Sequence, residues 1–207
     1  EPTLMGLEFF ERVVALQQAC GRSGAVVANG LQTNGTLITD AMAAHFARYN
    51  FLLGVSLDGP AAIHDRYRRS LAGAGSHGDV LRGIEILRRH NVEFNILILV
   101  SQANVGAAAE VYRCLGEQGF LFHQYIPCVE TDGAGQRLPF AVSGPQWGEF
   151  LCTLFDQWYP HDVRRVSIRH FDAILSLLVD GVPTVCSVGR KCGDYFVVEY
   201  NGDIYPC

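Results

Sequence analysis

Cys186, Cys192 and Cys207 stand close together near the end of the sequence. Soft thiolates gathered in this way select zinc or an iron–sulfur cluster. The last two flank Tyr195-Phe-Val-Val-Glu-Tyr-Asn201-Gly202-Asp203-Ile-Tyr-Pro-Cys207, an alternating stretch broken at Asn-Gly. Asn-Gly readily takes the positive φ angles of a two-residue type I′ turn, so a β-hairpin is expected here. Such a hairpin would carry Cys207 back toward Cys192. Both candidate metals ordinarily take four ligands, so three sulfurs describe an incomplete site.

A second constellation reads Leu52-Leu-Gly54-Val-Ser56-Leu-Asp58-Gly59-Pro60-Ala-Ala-Ile-His64-Asp65-Arg-Tyr67-Arg68. Asp58 is placed to cap a helix, with Pro60 in the first turn where its missing N–H costs nothing. Ser56 ends a strand and Arg68 follows in the next segment. A hydroxyl and a guanidinium converging on a strand mouth suit a carboxylate, which Arg grips through charge-assisted hydrogen bonds. In Leu31-Gln32-Thr33-Asn34-Gly35-Thr36, Asn34-Gly35 reads as a turn and Gln32 as the residue that points into the mouth. His123, inside an apolar run, reads as a hydrogen-bonded core histidine. His45, His77 and His161 read as surface residues, and no His-x-x-x-His or catalytic-triad pattern occurs.

Such residues need strands to present them. Ala25–Leu31, Leu52–Ser56, Phe94–Val100 and Phe122–Ile126 are expected strands, the third nearly unbroken as in a parallel sheet covered on both faces. Helices are expected from Leu7 to Cys20, from a Thr39 cap through Ala43, Phe46 and Tyr49, and along Val80, Ile84 and Leu87. An Asn104 cap opens another through Ala108, Val111 and Leu115 to Gly119. Trp147, Leu151, Leu154 and Trp158 form one further stripe, and Phe171, Ile174 and Leu178 the last. The alternation gives parallel βαβ units wound into a barrel or open sheet, an α/β fold. Helical period stops near Pro183, which sets the expected domain boundary: 1–182, then 183–207.

Composition narrows the function. The 207 residues are 49% apolar and 18% charged, with a formal net charge of −5. That leaves no basic footprint for nucleic acid or anionic membranes, and the longest apolar run, Ile96 to Val100, is far short of a membrane span. Seven cysteines without an export signal argue against a disulfide framework and for a reducing, cytoplasmic compartment. Cys20, Cys114 and Cys152 are expected to be buried, inert thiols, while Cys128 sits in a loop. The opening Glu1-Pro2-Thr3 suggests a fragment whose N-terminus lies elsewhere.

Taken in order, these motifs resemble one family. Glu1-Pro-Thr-Leu is similar to the tail of the Gly-Gly-Glu-Pro motif of radical S-adenosylmethionine (SAM) enzymes. Gln-Thr-Asn-Gly-Thr, Gly-Val-Ser-Leu-Asp-Gly-Pro with Ile-His-Asp-x-Tyr-Arg, Ile-Pro-Cys-Val-Glu, and Cys-x5-Cys leading to Asn-Gly-Asp-Ile-Tyr-Pro-Cys resemble the anaerobic sulfatase-maturating enzymes, which carry a cysteine-rich SPASM extension. The resemblance implies a partial (β/α)6 barrel lacking its first strand over 1–182, and the start of the auxiliary-cluster domain over 183–207. It implies that Glu1 contacts the SAM amino group, that Ser56 and Arg68 hold the SAM carboxylate with Gln32 also at the cofactor, and that Cys186, Cys192 and Cys207 are ligands of an auxiliary 4Fe–4S cluster. The implied reaction oxidises a Cys or Ser of a sulfatase to Cα-formylglycine, with SAM, 4Fe–4S clusters and an electron donor such as flavodoxin or ferredoxin. The Cys-x3-Cys-x2-Cys motif for the SAM-cleaving cluster would precede Glu1, and the Asp expected to take the substrate proton would follow Cys207. The sequence therefore reads as an internal fragment, inactive by itself. Two alternatives stay open: another SPASM enzyme forming thioethers or epimers, or a zinc-stabilised module, against which the lack of a Cys-x2-Cys knuckle weighs.

Overall fold

The computed structural model describes residues 1–189 and 195–206. It divides into two compact units, Glu1–Val166 and Ser167–Cys207. The first unit opens with a 3-10 turn at Pro2–Met5 and helix α1 (Leu7–Cys20). Strands β1 (Gly30–Thr33), β2 (Leu52–Ser56), β3 (Glu93–Val100) and β4 (Phe122–Pro127) follow in turn. Helix α2 (Asp40–Arg48) joins the first two, while α3 (Ala61–His64) and α4 (His77–Arg89) join the next. Helix α5 (Ala108–Glu117) precedes β4 and α6 (Gly144–Trp158) follows it. The strands lie in sequence order, all parallel, with Gln32 beside Gly54, Ser56 beside Leu97 and Leu97 beside Gln124.

Strand period sorts the side chains onto two faces. Leu53, Val55, Ile96, Ile98, Val100, His123 and Tyr125 share one face and are buried. The helices bury their own stripes: Met42, Ala43 and Phe46 on α2; Val80, Ile84 and Leu87 on α4; Val111 and Leu115 on α5; Phe150, Leu154 and Trp158 on α6. Each large side chain so buried stabilises by about 1.5–3 kcal/mol. Helix ends follow their capping chemistry. Thr39 Oγ accepts from Met42 N at 3.2 Å, and Ser143 with Gln146 forms a capping box. Close approach fixes one glycine: a Cβ on Gly83 of α4 would lie 2.0 Å from the Gly35 carbonyl oxygen.

Several sequence expectations are corrected. β1 begins at Gly30 rather than Ala25, because β2 offers no backbone partner before Leu52 N, which donates to Asn29 O at 2.9 Å after the left-handed Asn50. On α6, Phe150 takes the buried position while Trp147 and Leu151 are half-buried. Cys20 and Cys152 are exposed and Cys114 half-buried, since they fall off the buried stripes of α1, α6 and α5; Cys128 is buried. His45 and His77 are not surface residues. Each is half-buried, and among the described residues its Nε2 is a buried atom without a hydrogen-bond partner.

The second unit holds the two-residue strand β5 (Ser167–Ile168), helix α7 (Arg169–Asp180), a 3-10 turn at Cys186–Val188, and the strands β6 (Phe196–Val198) and β7 (Ile204–Pro206). Helix α7 ends at the left-handed Gly181, and Leu178 is 75% exposed rather than part of a buried stripe. β6 and β7 do form the expected antiparallel hairpin, Phe196 opposite Pro206. Its turn differs from type I′. Gly202 N donates to Glu199 O and Glu199 N to Asp203 O, both at 2.9 Å, and of the pair only Gly202 has positive φ. This is the longer loop that ends in a left-handed glycine. Asn201 Oδ1 instead accepts from Asp203 N at 3.1 Å, which holds Asn201 outside the left-handed region.

Candidate active site at the strand ends

The second face of the sheet is the more open one. Gln32 is exposed, and Ser56, Asn95, Gln124 and Ile126 are half-buried. Leu52 and Phe122 are more than half exposed at the strand starts. Gly54 keeps the centre of this face low: a Cβ there would come within 2.7 Å of Leu97 and 3.3 Å of Asn95 Oδ1. The result is a surface of amide and hydroxyl groups interleaved with leucine and isoleucine. Its composition suits a ligand with both apolar and hydrogen-bonding parts. Ser56 sits at the C-terminal end of β2, where parallel α/β folds place their chemistry.

Asp58 organises the rim beyond Ser56. It caps no helix: Pro60 stands at the N-cap of α3, and the Asp58 carboxylate turns to Arg68 and β3. Arg68 Nε donates to Asp58 Oδ2 at 2.5 Å and Nη2 to Oδ1 at 3.2 Å, while Leu99 N donates to Oδ1 at 2.9 Å. This pairing occupies the side-on edge of the guanidinium. The end-on Nη1/Nη2 edge faces away from Asp58, in a side chain 27% exposed. Asp58 Oδ1 therefore has a twofold role, as counter-ion to Arg68 and as the acceptor that ties the rim to β3.

Three further residues, none singled out for this place by their sequence pattern, complete the rim. Asn104, expected to cap α5, accepts from Ser101 N at 2.8 Å and donates to Leu99 O at 3.0 Å and Asp58 O at 3.1 Å. Ala107 stands at the N-cap of α5 instead, without a side-chain bond. His64, fully buried, accepts from Asp58 N at 3.2 Å through Nδ1 and meets Ser76 Oγ at 3.1 Å through Nε2. Desolvation drives its pKa down to about 4, opposed by Asp58 and assisted by Arg68. The signal in sequence was a set of small polar residues at helix starts, which reads as capping and here is spent on the rim.

Glu1 lies at the mouth of β1. Its Oε1 accepts from Thr3 N, Thr3 Oγ1 and Thr33 Oγ1 at 3.1, 2.5 and 2.7 Å, and its Oε2 accepts from Asn34 N at 2.7 Å. Burial pulls the Glu1 pKa up, but hydrogen bonds from Thr3, Asn34 and Thr33 outweigh it and hold the pKa below the usual carboxylate value. The group is an anion that pins the loop after β1. That loop is the expected turn, with Asn34 Oδ1 accepting from Thr36 N at 3.1 Å and Gly35 at φ 74°.

Among the candidate cluster ligands, Cys186 is exposed in the 3-10 turn Cys186–Val188. Cys192 and Cys207 lie outside the described residues. Among the described residues no group of three or more His, Cys, Asp or Glu side chains could hold a metal ion. No described helix is long and apolar enough to cross a membrane.

No protein-family model matches the chain. It is 36% identical, over its whole length, to a serine-type anaerobic sulfatase-maturating enzyme of Bacteroides thetaiotaomicron, of which it covers 53%. It is 37% identical, again over its whole length, to a cysteine-type anaerobic sulfatase-maturating enzyme of Clostridium perfringens, of which it covers 57%. The chain thus spans about half the length of the curated relatives it matches. A solved structure of native anSMEcpe with bound AdoMet and Cp18Cys peptide superposes with a TM-score of 0.91 at 37% identity, covering 100% of this chain and 58% of that one. A radical SAM methyltransferase from Sphaerobacter thermophilus, at 16% identity and a TM-score of 0.50, shares the fold alone.

Proposed function

The chain is kin along its whole length to the anaerobic sulfatase-maturating enzymes, and we propose that the protein as a whole is a radical SAM oxidoreductase of that type. It converts a Cys or Ser of a sulfatase polypeptide to Cα-formylglycine, drawing its electron from a donor such as flavodoxin or ferredoxin. SAM, cleaved reductively at a 4Fe–4S cluster, supplies the radical that takes hydrogen from the substrate side chain. The difficult chemistry belongs to these groups, and the protein's part is placement and exclusion of water.

The observation that carries this reading is the end of β2. Ser56 closes the strand on the open face, and Arg68 is returned to the same strand end by Asp58. Ser56 Oγ and the end-on edge of Arg68 would take the SAM carboxylate. Asp58 neutralises only the other edge, and a guanidinium can serve two carboxylates on its two edges. The Glu1 carboxylate would face the SAM ammonium. Among the described residues its Oε2 accepts one hydrogen bond, from Asn34 N, and keeps room for another. Gln32, Asn95 and Gln124 would bond polar groups of the nucleoside across the face. Residues 183–207 would begin the auxiliary-cluster region, with Cys186, Cys192 and Cys207 as three of its ligands.

The direct experiment uses the full-length protein, reconstituted with iron and sulfide without air. It is incubated with SAM, a reductant and a peptide containing Cys-x-Pro-x-Arg, and the products are weighed by mass spectrometry. Conversion of the thiol-bearing side chain to an aldehyde is expected. A peptide of unchanged mass, from protein that cleaves SAM, would refute the substrate assignment.

A further inference from the structure

The hydrogen bonds behind Arg68 form a closed ring in which every donor and acceptor can be assigned. Asp58 N–H can only donate, so His64 Nδ1 at 3.2 Å accepts and carries no proton. The neutral imidazole then holds its proton on Nε2 and donates to Ser76 Oγ at 3.1 Å. The single hydroxyl proton of Ser76 goes to the Arg68 carbonyl at 2.9 Å. Arg68 closes the ring through its guanidinium on Asp58.

Local packing does not require this arrangement. Ser76 stands at the N-cap of α4, where a serine hydroxyl ordinarily satisfies the first turn. It makes no capping bond, and its φ of −107° and ψ of −5° are not those of a usual N-cap. Its hydroxyl is committed to Arg68 and His64. The ring thus fixes the Arg68 guanidinium through Asp58 and adds the Ser76 hydroxyl to a backbone that Ser76 N (3.3 Å, to the Arg68 carbonyl) and His64 O (3.1 Å, from Arg68 N) also hold.

We infer that His64 and Ser76 are positioning residues for SAM, holding the Arg68 backbone so that the end-on edge of its guanidinium stays aimed along the strand end. This rests on the SAM reading proposed above. The ring works only with His64 neutral, because a proton on Nδ1 would set two donors against each other at Asp58 N–H. The charged and titratable neighbours of His64 are Asp58, Arg68, Asp65 and His77, whose ring lies 5.7 Å away, edge to face. Burial outweighs the two carboxylates and keeps the ring uncharged through the neutral range.

The test is calorimetric titration of the full-length holoenzyme with SAM, without reductant, in wild-type, Ser76→Ala, Ser76→Thr and His64→Asn forms. Each variant's melting temperature and iron content are measured beside its affinity. Losing one neutral hydrogen bond of the ring should weaken SAM binding about five-fold in Ser76→Ala. Ser76→Thr keeps a hydroxyl and should stay within about two-fold of wild type. The His64→Asn amide keeps the acceptor for Asp58 N–H and cuts the arm to Ser76, so it should match Ser76→Ala. A double variant combining Ser76→Ala and His64→Asn, titrated alongside, should be no weaker than either single one, since both cut the same ring. Wild-type affinity in Ser76→Ala, with wild-type SAM binding intact, overturns the inference and leaves the SAM site standing. A wild-type protein that binds no SAM removes the ligand assignment, and the inference with it. If His64→Asn fails to fold, the two Ser76 variants decide alone.

Discussion

His64 and His123 are both buried imidazoles, 0% and 2% exposed, and desolvation drives each pKa down to about 4. Their surroundings set them to different tasks. His123 lies on the covered face of β4, donating from Nε2 to Phe120 O at 3.1 Å and accepting from Tyr125 O–H at 3.3 Å. Both hydrogen-bond partners sit within three residues, and the Tyr112 ring of α5 meets the imidazole edge to face at 5.9 Å, so the ring secures β4 against α5 in the core. His64 lies past the end of β2 and links Asp58 to Ser76, twelve residues on, around an arginine at the rim. Equal burial and equal charge state therefore say little about role. The partners decide it: one histidine serves packing, the other reaches a group that can meet a ligand.

The largest expected effect belongs to the covered face alone. Trp158 is fully buried and its Nε1 donates to Val166 O at 2.7 Å, so Trp158→Ala should cost about 3–5 kcal/mol in urea unfolding. Next comes the direct contrast. His123→Phe strands Tyr125 O–H and Phe120 O and should cost about 1–3 kcal/mol, with SAM affinity unchanged. His64→Gln should cost a similar stability and also weaken SAM binding. Equal SAM affinity in the two variants would break the distinction drawn between these histidines.

Acid should reveal both rings together. Their folded pKa values lie near 4 against an ordinary 6.5. Between those values the unfolded chain binds more protons, so the stability due to the neutral rings is complete above about 6.5 and is lost as pH falls toward 4. Unfolding free energy should decline over that window, and less steeply in His123→Phe. The smallest effect is a control on α4. Arg82 pairs with Asp79 at 2.8 Å in a mostly exposed setting, and Arg82→Ala should change stability by less than about 0.5 kcal/mol and SAM affinity not at all.

The sheet and its helices were legible because period alone carries them: the apolar run to Val100 and the stripe of Val80, Ile84 and Leu87 each fit one structure. Ser56 was legible as the last residue of a strand, and Arg68 as a charged side chain in the segment that follows it. Legibility failed where a side chain had two honest uses. Asp58 and Asn104 sit at capping distance from helices, and only tertiary contact with Arg68 and Leu99 shows that they are spent on the rim. Gly202 was foreseen as a turn glycine, but the Asn201 side-chain bond to Asp203 selected the longer loop over type I′. Cys20 and Cys152 show that an apolar neighbourhood in sequence does not fix which way a helical residue faces.

The most direct test of the account is SAM affinity in Arg68→Lys full-length protein, measured by calorimetry with iron content and melting temperature alongside. Lysine keeps the charge but lacks the planar fork needed to hold Asp58 on one edge and a ligand carboxylate on the other. Affinity about ten-fold lower at unchanged iron content is the predicted result. Wild-type affinity in that variant would contradict the assignment of the β2 strand end as the SAM carboxylate site.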